Sequence, residues 1–146
     1  MEPKLKEIRR KLYDEFDFYS KSALKIRTKD GDIRNLNLKP AQLLLQDAVD
    51  KQMAAEGKVR VIILKARQQG LSTYVGGYLY FNVSQRKACK AMVVTHHSDS
   101  TRALFDMTKR YHENCPELLK PHTKYSSMRE LTFDVLDSSF VVATAG

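Results

Sequence analysis

The sequence has no tryptophan, only two cysteines, four prolines and six glycines in 146 residues. Cys89 and Cys115 provide no disulfide framework, and a reducing, cytosolic setting is expected. His112 and His122 lie near Cys115 in sequence, and His96 adjoins His97. Without a second closely spaced cysteine pair these read as ordinary histidines and free thiols rather than a zinc site. No apolar run is long enough to span a bilayer and no signal-peptide pattern occurs, so no membrane partner is expected. Linkers, internal repeats and low-complexity tracts are also missing, and the length suits one domain. Acidic residues are in short supply. Asp and Glu number 17 against 25 Lys and Arg, a net charge of +8. That excess favours a polyanionic partner: nucleic acid, nucleotide or acidic lipid. The basic residues are scattered, which argues against a disordered basic tail.

What is present reads as an alternation of helices and strands. Leu5, Ile8, Leu12, Phe16 and Tyr19 recur at helical spacing and predict one amphipathic helix. Ala23 to Leu38 alternates around Asp30-Gly31, as a hairpin does. Pro40 suits the start of the next helix, with Leu43, Leu44 and Ala48 as its buried face and Gly57 as its stop. Val59–Leu64 is a β-branched apolar run that predicts a strand covered on both faces. A helix over Tyr74 to Asn82 follows. Gly76-Gly77 inside it costs roughly 1 kcal/mol per glycine against alanine, which marks either a close packing contact or a poor helix.

Ala91–Thr95 predicts a second strand, parallel to Val59–Leu64 in one sheet with the helix crossing between them on a right-handed path. His96 to Asp99 form a loop in which Ser98 or Asp99 caps a helix running to about Asn114. Ala103, Leu104, Met107 and Tyr111 mark its inner face, and Pro116 and Pro121 punctuate its exit. Glu130–Leu136 and Ser139–Thr144 predict two strands joined through Asp137-Ser138. The expected class is α/β, a P-loop NTPase-like parallel sheet with flanking helices and an antiparallel hairpin at the C-terminal end. A parallel sheet rarely ends directly after a strand, so an incomplete domain is expected.

The chemistry concentrates in Lys65-Ala66-Arg67-Gln68-Gln69-Gly70-Leu71-Ser72-Thr73, between the predicted strand and helix. Backbone N–H groups at a helix N-terminus, with the helix dipole behind them, bind phosphate oxygens. Laid on G-x-x-x-x-G-K-[ST], Ser72 occupies the hydroxyl position that ligates Mg²⁺, while Lys65 stands at the first glycine and Leu71 at the lysine. The pattern therefore fails as written. A lysine at the mouth of the loop compensates chemically, because its four-carbon stem can return the ammonium over the phosphates. Arg67 adds a second positive group. Taken alone, the loop is equally compatible with a merely solvated strand–helix junction.

The segment Val61 to Thr73 resembles the variant Walker A region of the large terminase subunits of tailed bacteriophages. Leu38-Lys39-Pro40-Ala41-Gln42 is similar to that family's upstream segment with an adenine-contacting glutamine. Gln42 is the match and Gln46 the fallback. Thr95 to Leu119 and the terminal Ala143-Thr144-Ala145-Gly146 resemble the family in order and spacing. The resemblance implies an ATPase that drives double-stranded DNA into proheads, with a portal protein, a small terminase subunit and a homo-oligomeric ring as partners in the cytoplasm of a bacterial host. It divides the chain into an N-terminal helix and hairpin at 1–38 and the first part of the ATPase domain at 39–146.

The same resemblance makes ATP and Mg²⁺ the cofactors, with the loop from Lys65 to Thr73 as the cradle. Lys65 and Arg67 act on the phosphates, Ser72 serves Mg²⁺ with Thr73 in reserve, and Gln42 serves the base. Arg67 suits an arginine finger and a simple ion pair equally. The Walker B aspartate, its neighbouring glutamate and the nuclease carboxylates are expected beyond Gly146, since Asp134 and Asp137 lie in or beside a hairpin and are poor substitutes. The 146 residues alone are thus expected to be inactive. A helicase-like P-loop ATPase, a non-catalytic basic nucleic-acid-binding module and an interaction protein with an inert loop are the alternatives.

Overall fold

The computed structural model describes residues 2–64 and 70–146. Helix α1 (Pro3–Asp14) and helix α2 (Phe16–Ala23) replace the single predicted N-terminal helix; the chain is extended at Glu15 between them. The break has a packing cause. Phe16, Tyr19, Ser20 and Ala23 of α2 are buried, whereas α1 buries no residue and leaves Leu5 51% exposed. The carbonyls released at the end of α1 find new donors: Gln85 Nε2 bonds Leu12 O at 3.1 Å and Arg86 Nη2 bonds Tyr13 O at 2.8 Å.

Strands β1 (Lys25–Arg27) and β2 (Ile33–Asn35) form the predicted antiparallel hairpin. Helix α3 (Pro40–Glu56) starts with proline in its first turn and stops at Gly57 in the left-handed region, as the sequence predicts. Its inner face differs from expectation. Gln42, Gln46 and Val49 are buried, while Leu43, Leu44 and Ala48 are exposed. The two glutamines can be buried because their amides are satisfied inside the fold.

Helix α4 (Leu71–Val83) is the central element. Gly76 and Gly77 are both buried, and the reading of a close packing contact is the correct one. A Cβ on Gly76 would lie 2.8 Å from Met107 Cε, and one on Gly77 would lie 3.0 Å from Leu24 Cδ1. On the α2 side, Phe16 sets its ring edge-on to Tyr74 and Tyr78, each at 5.4 Å between centroids.

Strand β3 (Lys90–Thr95), helix α5 (Ser98–Glu113) and strands β4 (Thr123–Ser126), β5 (Glu130–Phe133) and β6 (Ser138–Thr144) complete the fold. Two details of α5 depart from expectation. His97 precedes it as N-cap without a side-chain capping bond, and Phe105 rather than Ala103 is buried. The four-stranded sheet runs β3-β6-β5-β4, with β3 parallel to β6 and the other two pairs antiparallel. Strand β4 has no counterpart in the sequence reading. The architecture is mixed α/β: five helices, one mixed sheet and one separate antiparallel hairpin among the described residues. One sheet face carries the buried Ala91, Phe140, Val142, Leu131 and Phe133, which join the core with α2, α4 and α5.

Val59–Leu64 forms no strand, and the parallel partner of β3 is β6 instead. Ile62 and Leu64 are fully exposed. Ile63 turns inward to line an apolar cavity of about 160 Å³ together with Leu71, Val75, Val93, Leu104 and Phe140. Among the described residues no ladder joins the segment to β3, and without one an extended run cannot satisfy its backbone as a strand.

Candidate functional site

Five of the predicted loop residues, Lys65, Ala66, Arg67, Gln68 and Gln69, lie outside the described residues. The other four, Gly70 to Thr73, are described, and they form the entry to α4. Gly70 is its N-cap with φ +73°, a left-handed conformation that side chains disfavour. A Cβ there would also stand 2.9 Å from Gln42 Nε2. Glycine is required at this position on both counts.

Gln42 is only 2% exposed. Its Oε1 accepts the Lys39 backbone N–H at 2.8 Å, and its Nε2 donates to Gly70 O at 2.7 Å. The Gly70 carbonyl also accepts the first helical bond, from Tyr74 N at 3.0 Å. One carbonyl thus serves both α4 and α3. Four residues further along α3, Gln46 repeats the connection: Oε1 accepts from the Tyr74 hydroxyl, and Nε2 donates to Asp50 Oδ1 at 2.8 Å. Burial raises the pKa of Tyr74, with Tyr78 and Asp50 adding to the effect, so this hydroxyl keeps its proton and remains a donor.

On its other side α4 is held by α5, where the Tyr111 hydroxyl donates to Thr73 O at 3.1 Å. The first turn is therefore fixed from both flanks. Helix geometry leaves its leading amides without intrahelical acceptors, and the helix dipole makes this end an electropositive terminus. Ser72 is exposed there and Thr73 is partly buried. Leu71, at the lysine position of the sequence pattern, is 8% exposed and packs into the apolar cavity.

The other expected candidates sit elsewhere. His112 bridges Tyr80 OH at 2.9 Å and Thr123 Oγ1 at 2.8 Å, and burial, then Lys120, lowers its pKa. Cys115 is buried, which pushes its thiol up. Among the described residues no group of three or more His, Cys, Asp or Glu could hold a metal ion. Asp134 pairs with His122 at 2.9 Å, and Asp137 occupies the β5–β6 turn at φ +51°. A hydroxyl chain missed in the sequence joins the carboxyl ends of the two parallel strands: Thr95 to Thr101 and Thr101 to Thr144, each at 2.6 Å. No sequence spacing could have revealed a chain spread over three elements.

No protein-family model matches the chain, and it has no significant similarity to a curated protein. Among the described residues no helix is long and apolar enough to cross a membrane.

Proposed function

We propose that the entry to α4 is the phosphate site of an ATPase, and that this ATPase is the motor of a DNA-packaging large terminase. The observation that supports the site is the rigidly held helix N-terminus at Gly70, with the Ser72 hydroxyl exposed beside it. Among the described residues the amides of Leu71 to Thr73 suit phosphate oxygens and Ser72 suits Mg²⁺, and the charge in this proposal is assigned to Lys65 and Arg67 from the sequence alone. When bound, Mg²⁺ neutralises the charge that develops on the phosphates. The terminase reading rests on the Val61 to Thr73 segment and its upstream glutamine, with double-stranded DNA, portal protein and small subunit as the implied partners. The basic excess of the chain is consistent with a DNA partner.

The finer fold in this proposal is a P-loop sheet. Its support is the apolar cavity that Ile63 shares with Val93 and Phe140 of the sheet and with α4 and α5, together with the position of β3 at the end of the strand order. A further strand at that end would bring Val59–Leu64 into the ladder and close the sheet over Leu71.

Titration calorimetry with ATP and Mg²⁺ tests the site. Lys65→Ala is expected to weaken binding about tenfold or more, as loss of a charge-assisted phosphate contact does. Leu71→Ala should leave the affinity within about threefold after correction for its lower stability. Equal losses from both variants, or none from Lys65→Ala, would remove the basis for the relocated lysine.

A further inference from the structure

Taking the phosphate-site reading as its basis, we infer that Gln42 is a positioning residue for the start of α4 and does not read the nucleotide base. A glutamine that recognises adenine needs its amide oxygen and its amide nitrogen turned together toward the base edge. In this fold the two ends face the protein. Oε1 holds the Lys39 N–H and Nε2 holds the Gly70 carbonyl, at 2.8 and 2.7 Å. The residue is 2% exposed, and Gly70 packs so closely that one added methyl would stand 2.9 Å from Nε2. Each end holds one internal bond, and burial keeps the remaining donor and lone pair of the amide away from a base.

The geometry makes Gln42 and Gly70 a single lock. Oε1 sets the first turn of α3, Nε2 sets the carbonyl from which α4 begins, and the contact ties two positions 28 apart in sequence. The lock acts on the direction of the leading amides of α4, and those amides meet phosphate oxygens, not bases. Its contribution is therefore the same for every nucleoside triphosphate.

The test measures the affinities of inorganic tripolyphosphate, ATP and GTP for the 146-residue chain and its Gln42→Glu, Gln42→Met and Gly70→Ala variants. Glutamate replaces the donor to Gly70 O by an acceptor, and methionine keeps the shape without either bond. Each variant is expected to weaken all three ligands by one common factor, about tenfold, as loss of a buried hydrogen bond does. The double variant Gln42→Met/Gly70→Ala should lose little beyond Gly70→Ala alone, because the alanine already breaks the contact that Gln42→Met removes and adds its own strain at φ +73°.

A loss confined to ATP, with tripolyphosphate unchanged, would overturn the inference in favour of base reading. Amide hydrogen exchange over residues 74–77, whose N–H groups make the first intrahelical bonds of α4, supplies a readout without ligand that is independent of nucleotide. It should quicken in each folded Gln42 variant, and unchanged exchange would overturn the lock. Should the wild type bind none of the three ligands, the phosphate-site reading falls, and the exchange experiment still judges Gln42.

Discussion

At the residue scale, the glycine pair in α4 shows how one residue type serves two different contacts. The methyl of Gly76→Ala would meet the terminal methyl of Met107, a flexible group able to swing aside. The helix then gains roughly 1 kcal/mol of propensity, so Gly76→Ala should be neutral or slightly stabilising. Gly77 instead faces Leu24, Phe16 and Leu36 within the core. Gly77→Val should cost about 1–3 kcal/mol by overpacking. Urea unfolding of both variants checks the pair, and similar effects would contradict the different surroundings. His112 carries a second prediction. Its pKa is lowered from 6.5 by burial and then by Lys120, so the folded state favours the neutral ring. The unfolded chain binds the proton more readily, and the stability contributed by the neutral ring is present above pH 6.5 and lost as pH falls through that value toward the folded pKa. His112→Gln can keep the bonds to Tyr80 and Thr123 without titrating. Its unfolding midpoint should therefore fall less between pH 7 and pH 5 than that of the wild type, as measured in urea at both pH values.

At the element scale, Val59–Leu64 separates propensity from structure. Its β-branched residues favour extended backbone, and the segment carries no ladder. The side chains already tell which way it faces: Ile62 and Leu64 are fully exposed, and Ile63 lines the cavity with Val93 and Leu71. In the 146-residue chain, Ile62→Asp should change stability by less than about 0.5 kcal/mol, as exposed substitutions do. Ile63→Asp should cost more, about 1–3 kcal/mol, by placing a carboxylate against an apolar lining. A cost from Ile62→Asp equal to that from Ile63→Asp would mean that the segment is packed differently. The contrast with α3 is instructive. There the periodicity marked leucines as the inner face, yet Gln42 and Gln46 are inside because Gly70 and Tyr74 offer them partners.

At the scale of the whole molecule, the second edge of β3 and the sheet face bearing Met92 and Val94 carry exposed apolar surface, at 64% and 58%. Such a surface beside an unpaired edge favours association between copies of the chain. Sedimentation velocity over a wide concentration range should show self-association, and Met92→Lys/Val94→Lys should shift the distribution toward monomer. A wild type that stays monomeric throughout would count against this reading of the edge.

Local signals in the sequence determined most of the elements: the β1–β2 turn, the start and stop of α3, the body of α4 though not its first turn, the strand β3 and the β5–β6 hairpin. Each follows from side chains within a few residues, such as Pro40 ahead of a helix and Gly57 behind it. That Gly70 heads α4 in a left-handed conformation was not legible, since a left-handed glycine ordinarily marks the end of a helix rather than its start. Tertiary structure alone decided which strand pairs with β3, that α1 and α2 part at Glu15, and that α3 buries Gln42 and Gln46 beside Val49. It also decided that Gln42 turns toward Gly70, 28 residues away. Those outcomes depend on which distant groups compete for one backbone edge, one carbonyl or one cavity, and a local pattern carries no record of that competition.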